Sequence, residues 1–261
     1  MFRAFATAAT GMGAQQMMVD VTANNLANIN TNGFKRSSVD FQDLLYVKIE
    51  QAGSETSAGL QRPTGFEVGS GVKAAATVRV NTAGELVQTD RTTDIAIRGD
   101  GFMQVTTENG TRYTRDGALY VNSDGNLVTL SGYLIEPSIT IPSTAVSIDI
   151  AKDGTVNTMD QSGTTSTVGT IQIAKFNNPS GLESIGDNLL NETVASGTAT
   201  TGTPGQNGLG TIQAGFLEKS NVQMITELVN LIRAQRAYEV NSRSIRAADE
   251  MLRKAIQIAR F

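Results

Sequence analysis

The sequence predicts an α+β protein in which long N- and C-terminal coiled-coil helices flank a mainly antiparallel β domain. Three observations predict it. Apolar residues recur every seven positions at both ends of the 261-residue chain, and the middle alternates apolar and polar residues in short runs punctuated by turn dipeptides. Charge divides in the same way. Residues 1–36 hold three bases (Arg3, Lys35, Arg36) and one acid (Asp20), residues 218–261 hold eight bases and five acids, and the middle has nine more acids than bases. Basic flanks around an acidic centre imply that the two ends share an environment the middle does not.

At the N terminus Phe5, Met12, Val19 and Leu26 recur every seven residues, with Ala9, Gln16 and Ala23 at the intermediate steps. A strict seven-residue period is the seam of a supercoiled helix. Asp20 is the only charge between Arg3 and Lys35, so this helix lacks the charged water face of an ordinary amphipathic helix. Gln15, Gln16, Asn24, Asn25 and Asn28 make it too polar for lipid. A helix of that kind is expected to be surrounded by other protein. Gly33 is expected to take positive φ after the helix, the Asn residues to bond freed backbone groups, and Phe34 to anchor the exit.

Residues 36–71 are predicted as a connecting linker, rich in Gly, Ser and Thr from Gln51 to Gly71, and 72–217 as a β-rich domain. Strand candidates are Val78–Val80, Asp94–Ile97, Phe102–Val105, Ala118–Val121, Ser138–Ile141, Val146–Ile150 and Ile171–Ala174. Asp100-Gly101, Asn109-Gly110, Asp116-Gly117, Asp124-Gly125 and Asp153-Gly154 punctuate them, the signature of antiparallel strands in a sandwich or barrel-like domain. The Ser/Thr/Gly-rich stretch Gly197–Gly210 reads as a long exposed loop.

At the C terminus Met224, Leu231, Tyr238, Ile245, Leu252 and Ala259 recur every seven, interleaved with Leu228, Gln235, Ser242, Asp249 and Ile256. Arg233, Arg236, Arg243, Arg246, Arg253, Lys254 and Arg260 form a basic stripe away from that seam. Small flanking residues such as Ala234, Ala237 and Ala248 let neighbouring helices approach closely. One partner would fill the seam and leave the flanks exposed, so an oligomer or filament is expected, with a two-helix hairpin carrying an Ala-rich surface as the alternative. Residues 1–35 and 218–261 are read together as one core domain.

Composition excludes whole classes of chemistry. Without His or Cys there is no thiol or Ser-His-Asp nucleophile, no familiar zinc site and no disulfide. The best carboxylates for an enzyme, among Asp90, Asp94, Asp100 and Asp116, sit in turn contexts, and no phosphate-cradling loop is present. No catalytic residue, cofactor or metal is expected. No apolar run is long enough to span a membrane, and the first residues carry no removable signal peptide pattern.

The stretch Asn24-Asn25-Leu26-Ala27-Asn28-Ile29-Asn30-Thr31-Asn32-Gly33-Phe34-Lys35-Arg36 resembles the N-terminal signature of bacterial flagellar rod and hook proteins. The far end, Ser220-Asn221-Val222 through Glu227-Leu228-Val229, Arg236-Ala237-Tyr238-Glu239 and Asn241-Ser242, resembles the partner C-terminal signature. Ile95-Ala96-Ile97-Arg98-Gly99-Asp100-Gly101-Phe102 and Tyr113-Thr114-Arg115-Asp116-Gly117 are similar to the family's β-domain blocks. Within that family the chain looks most like the distal-rod branch, with a proximal rod or hook protein as the alternative.

The resemblance implies a structural subunit that self-associates into a hollow tube, terminal helices inside and β domains outside. That tube is a drive shaft crossing the periplasm in the basal body and a conduit for exported subunits. Export without a cleaved signal peptide is implied. The implied partners are proximal rod proteins, hook or hook-junction proteins, P and L ring proteins, the rod cap and the flagellar export apparatus, with no nucleic acid or small-molecule substrate. Assembly contacts are expected at Phe5, Met12, Val19, Leu26, Met224, Leu228, Leu231, Tyr238, Ile245, Leu252 and Ile256. The family signature is expected at Asn24, Asn25, Leu26, Ala27, Asn28, Thr31, Gly33 and Phe34. The segment Tyr46–Gly71 is implied to set the polymer's rigidity.

Overall fold

The computed structural model describes residues 2–53, 55–57, 60–61 and 63–258. Helix α1 spans Phe2–Ala27, helix α2 spans Met224–Ile258, and the described chain between them is built of short strands and one 3₁₀ turn. At 1.5 Å per residue the helices are about 40 and 50 Å long. Ala259 and Arg260, which continue the repeat and the basic stripe, lie outside the described residues, as do Ser54, Ala58, Gly59 and Arg62 of the expected linker.

The chain forms two compact units: a helical unit of residues 1–26, 37–78 and 223–261, and a β unit of residues 27–36 and 79–222. The β unit is organised on the strand Phe102–Thr107. One edge pairs with Gly110–Thr114; the other is shared by Leu134–Glu136 and Ile173–Lys175, all antiparallel. Further antiparallel pairings extend this to nine strands, and a separate meander runs Ala145–Ile150, Thr155–Asp160, Thr165–Thr170.

Alternate side chains of a strand face opposite ways, and Phe102–Thr107 is buried on both faces. Met103 and Val105 enter a cluster with Ile95, Ile97, Leu127, Ile135, Ile171 and Ile212. Phe102 enters a second cluster with Tyr113, Phe176 and Leu182, where the Tyr113 and Phe176 rings meet edge to face at 4.7 Å between centroids, a favoured arrangement for aromatic quadrupoles.

Several sequence expectations change here. Asn109-Gly110, Asp124-Gly125 and Asp153-Gly154 sit at hairpins. Asp100-Gly101 and Asp116-Gly117 do not, because Ile95–Arg98 pairs with the distant strand Thr211–Ala214, and Gly110–Thr114 and Tyr120–Val121 each pair with strands other than one another. Ser138–Ile141 is not a strand. Ile139 and Ile141 enter the core, but Pro137 and Pro142 lack donors and frame the segment, which makes one bridge, Asn126 with Thr140. Gly197–Gly210 is not a plain exposed loop. It contains the strand Thr200–Gly202, paired with Ile173–Lys175, and Leu209 is buried in the large core. Turn bonds from Gly205 N to the Gly210 carbonyl and from Leu209 N to the Gln206 carbonyl fold it onto itself.

In the helical unit α1 and α2 run antiparallel. Gly11 lies at Asn241, and Asn25 lies two heptads further along at Glu227, two heptads back along α2. The segment expected as a linker carries strands: Ser37–Asp43 pairs with Val72–Arg79, and Val47–Glu50 pairs antiparallel with Phe66–Val68. The Leu44 amide bonds the Gly71 carbonyl at 2.9 Å.

Candidate assembly surface

The fully buried positions of the hairpin are small or polar. Ala14, Thr22 and Asn25 of α1 and Glu227, Ala234 and Ala248 of α2 are buried. A Cβ on Gly11 would lie 2.9 Å from the Asn241 amide nitrogen, so the helices meet at a distance that only small residues allow. Asn25 acts as a backbone surrogate. Its Nδ2 donates to the Ser37 carbonyl at 2.8 Å, its Oδ1 accepts from the Ser37 amide at 2.9 Å, and the same Nδ2 reaches Glu227 at 3.4 Å.

The inner line, Gly11, Met18 and Asn25 against Glu227, Ala234, Asn241 and Ala248, falls one residue before the rows Met12, Val19, Leu26 and Leu228, Gln235, Ser242, Asp249. One residue is about 100° of helix rotation. The apolar repeat is therefore turned onto one flank of the hairpin. There Phe5, Met12, Val19, Leu26, Leu231, Ile245 and Leu252 are half-buried, while Met224, Leu228, Tyr238 and Ile256 are exposed. Gln16 and Val19 with Gln235, Tyr238 and Glu239 line an open groove of about 450 Å³ on that flank.

Among the described residues no large apolar side chain of the helical unit is fully buried; its only buried hydrophobics are alanines. Exposed instead are Ile225 at 79%, Val240 at 60% and Leu45 at 90%, together with Met224, Val229, Ile232, Met251, Ile49 and Phe66. Large apolar side chains left exposed in this number point to interaction with other protein.

The signature residues divide between the two units. Asn25 and Leu26 belong to the hairpin, with Asn25 buried, Leu26 half-buried, and Asn24 and Ala27 exposed. In the β unit Asn28 closes a turn, accepting from the Thr31 hydroxyl at 3.0 Å and the Thr31 amide at 3.2 Å. Gly33 has φ +69°, as expected for a helix exit, and donates its amide to the Glu218 carbonyl at 2.8 Å. Phe34 is half-buried.

What the sequence did not assign is the cluster these residues enter. Lys35, Glu218 and Arg115 form a buried ionic triad. The Glu218 carboxylate takes the Lys35 ammonium on Oε1 and Arg115 Nε at 2.6 Å on Oε2, and Oε1 also accepts from the Gly84 amide at 2.8 Å. The rest of the Arg115 guanidinium is used on the carbonyls of Ile97, Gly99 and Gly101. Asn221 completes the lacing: its Oδ1 accepts from the Arg36 amide at 2.8 Å and its Nδ2 donates to the Val80 carbonyl at 2.9 Å. The two ends of the β unit and its Arg115 segment, and with them the N-terminal, central and C-terminal signatures, are thus tied within one network.

Burial alone would raise the Glu218 carboxyl, but Arg115, Lys35 and the Gly84 amide together hold it below the usual carboxylate range. Burial pulls the Lys35 ammonium below its usual value, and Glu218 opposes that pull. Of the candidate enzymic carboxylates, Asp94 is buried beside Arg91 at 3.6 Å, Asp100 pairs with Lys175 at 3.3 Å, and Asp116 accepts from the Ala118 amide and from Asn188. Among the described residues no acidic cluster fit for a metal occurs, and no helix is long and apolar enough to cross a membrane.

Three family models match in chain order. "Flagella basal body rod protein" covers residues 5–35, "Flagellar hook protein FlgE/F/G D1 domain" covers 96–158, and "Flagellar basal body rod FlgEFG protein C-terminal" covers 213–258. Paired terminal helices with unburied apolar faces, joined to a β unit carrying the middle match, define the class as flagellar rod and hook proteins. The chain is 49% identical over 259 residues to the flagellar basal-body rod protein FlgG of Caulobacter vibrioides, covering 98% of this chain and 99% of the relative. It is 46% identical to FlgG of Buchnera aphidicola from Acyrthosiphon pisum (95% and 96% covered) and 38% identical to FlgG of Bacillus subtilis (100% of both). The chain belongs to the family of the flagellar basal-body rod protein FlgG, the distal-rod branch expected from its signatures.

Proposed function

We propose that this chain is the subunit of a hollow, helical distal rod that transmits torque to the hook and conducts exported subunits. The observation that carries the reading is the helical unit without a large apolar core. Burying a Leu, Ile or Met side chain contributes about 1.5–3 kcal/mol. Met224, Ile225, Leu228, Ile232 and Val240 leave that stabilisation unrealised in the single chain, and contacts with further copies realise it. Supercoiling of the hairpin with neighbouring helices into a coiled-coil layer follows from the seven-residue repeat on its flank. Helices of about 40–50 Å packed along an axis resist bending through close-packed contacts.

In this reading residues 1–35 and 218–261 form the inner layer, 72–217 the outer layer, and 36–71 the connection. Assembly contacts run through Phe5, Met12, Val19, Leu26, Met224, Leu228, Leu231, Tyr238, Ile245, Leu252 and Ile256. Proximal rod proteins adjoin one end and hook or hook-junction proteins the other. The P and L rings surround the shaft, and the rod cap and flagellar export apparatus serve its assembly across the periplasm, without a cleaved signal peptide.

Basal bodies from a strain lacking the gene are expected to end in a short stub below the outer ring by electron microscopy. Loss of the entire rod would favour a proximal assignment instead. Deleting residues 51–63 is expected to leave a polymer that bends. Micrographs of equally straight, stiff rods would remove the linker from the account of rigidity.

A further inference from the structure

We propose that Asp20 of one copy docks between Arg233 and Arg236 of a neighbouring copy, fixing the register in which the outer faces of α1 and α2 meet. The inference rests on the polymer reading and adds to it one specified contact.

Asp20 is the sole charge on α1 beyond Arg3. It stands two residues from Met18 on the inner line, about 200° around the helix, and is exposed on the outward face. Among the described residues it has no ion-pair partner, whereas Glu239, Asp249 and Glu250 of α2 do. Glu239 pairs with Arg243, Asp249 with Arg253 at 2.9 Å, and Glu250 with Lys254 at 3.0 Å. Arg246 donates to Ser242. Arg233 and Arg236 remain without a carboxylate among the described residues. Charge complementarity thus singles out one acid and two bases on two outward helix faces.

The surrounding surface fits the same pairing. Ile225, Val229, Ile232 and Arg236 recur at steps of four, three and four along the outside of α2, with the three apolar members 79%, 40% and 48% exposed. The intramolecular register, set by Gly11 at Asn241 and Asn25 at Glu227, places Asp20 level with Ile232. Arg233 and Arg236 are therefore within about one helical turn of it along the axis. In a head-to-tail assembly every copy points the same way, so a neighbour's α1 runs antiparallel to this α2. Seating Asp20 at Arg233 and Arg236 then lays Ala23 and Ala27 over Ile232 and Val229, small residues over large ones. Registers shifted toward the start of α2 bury the lone carboxylate against Ile225, Val229 and Ile232, and those shifted the other way bring it to Arg243 and Arg246, which already hold Glu239 and Ser242. An exposed ion pair adds little strength, but an unpaired charge under a covered face is strongly unfavourable, so the contact sets register.

The test compares purified full-length wild type, Asp20→Arg, the double variant Arg233→Asp/Arg236→Asp, and the triple combination, by sedimentation of polymer against protein concentration. Each reversal is expected to raise the concentration needed for assembly at least tenfold, and the triple variant to return within about threefold of wild type. Circular dichroism of the dilute chains is expected to be unchanged, because all three positions are exposed. The chain has no Cys, so mixing Asp20→Cys copies with Arg236→Cys copies before assembly and oxidation reports the contact directly. A mixed disulfide dimer that neither variant forms alone is expected. Assembly of Asp20→Arg at the wild-type concentration, or a triple variant that fails to recover with no mixed disulfide, overturns the register contact and leaves the polymer reading standing. A wild type that stays monomeric at every concentration overturns both.

Discussion

Glu218→Ala is expected to destabilise the β unit by about 3–5 kcal/mol, the cost of leaving buried charge uncompensated. Among the described residues the carboxylate is the only anion in direct contact with both Lys35 and Arg115, whose side chains are 5% and 9% exposed. Its loss strands two cations and the Gly84 amide together. A Glu218→Gln variant keeps hydrogen-bonding atoms without the charge and is expected to lose less. Chemical denaturation of the full-length chain followed by near-ultraviolet dichroism of the Tyr113 and Phe176 cluster reads the effect, and a wild-type midpoint for Glu218→Ala would refute it.

The same carboxylate makes a pH prediction. Its pKa in the folded chain lies below the ordinary value, which is about 4.3 for Glu. A group of that kind contributes stability fully present above the unfolded pKa and lost as pH falls through the folded one. Wild type is therefore expected to weaken from about pH 4 downward. Glu218→Gln, already less stable at neutral pH, is expected to show a shallower decline over that range. Parallel acid profiles for the two proteins would exclude this role.

The helices were legible because a long seven-residue period has few other readings, and both form over nearly the predicted spans. The inside of the hairpin was not. Periodicity locates large side chains, whereas the closest approach of two helices is made by the smallest, here Gly11, Ala14, Ala234 and Ala248, and by a buried Asn25. The pattern therefore marks the flank, one residue away. Composition misread Gly197–Gly210 for a related reason: one Leu among polar residues is enough to anchor a segment when turn bonds close it. The ionic triad left no local trace, since Lys35 and Arg115 are separated from Glu218 by 183 and 103 residues. The signatures included Lys35 and Arg115 but not Glu218, and carried no sign that the three meet.

Gly33→Ala is expected to cost about 2–6 kcal/mol, combining strain at a left-handed residue with overpacking. A Cβ at this φ of +69° would sit 2.6 Å from the Arg115 carbonyl carbon and 2.8 Å from both its oxygen and the Asp116 nitrogen. These are backbone atoms, and they cannot retreat cheaply. Arg115 is held by Glu218 and three carbonyls, and the Gly33 amide is itself bonded to the Glu218 carbonyl. The substitution therefore strikes the network from both sides. Gly13→Ala is the internal comparison. That residue lies within α1 with nothing near its added carbon in the single chain, so Ala is expected to stabilise the isolated helix by up to about 1 kcal/mol. Opposite signs for one chemical change, measured by denaturation of the two dilute variants, would attribute the Gly33 cost to its site. Equal small effects would mean that the segment after α1 is not locked against Arg115 as the geometry requires.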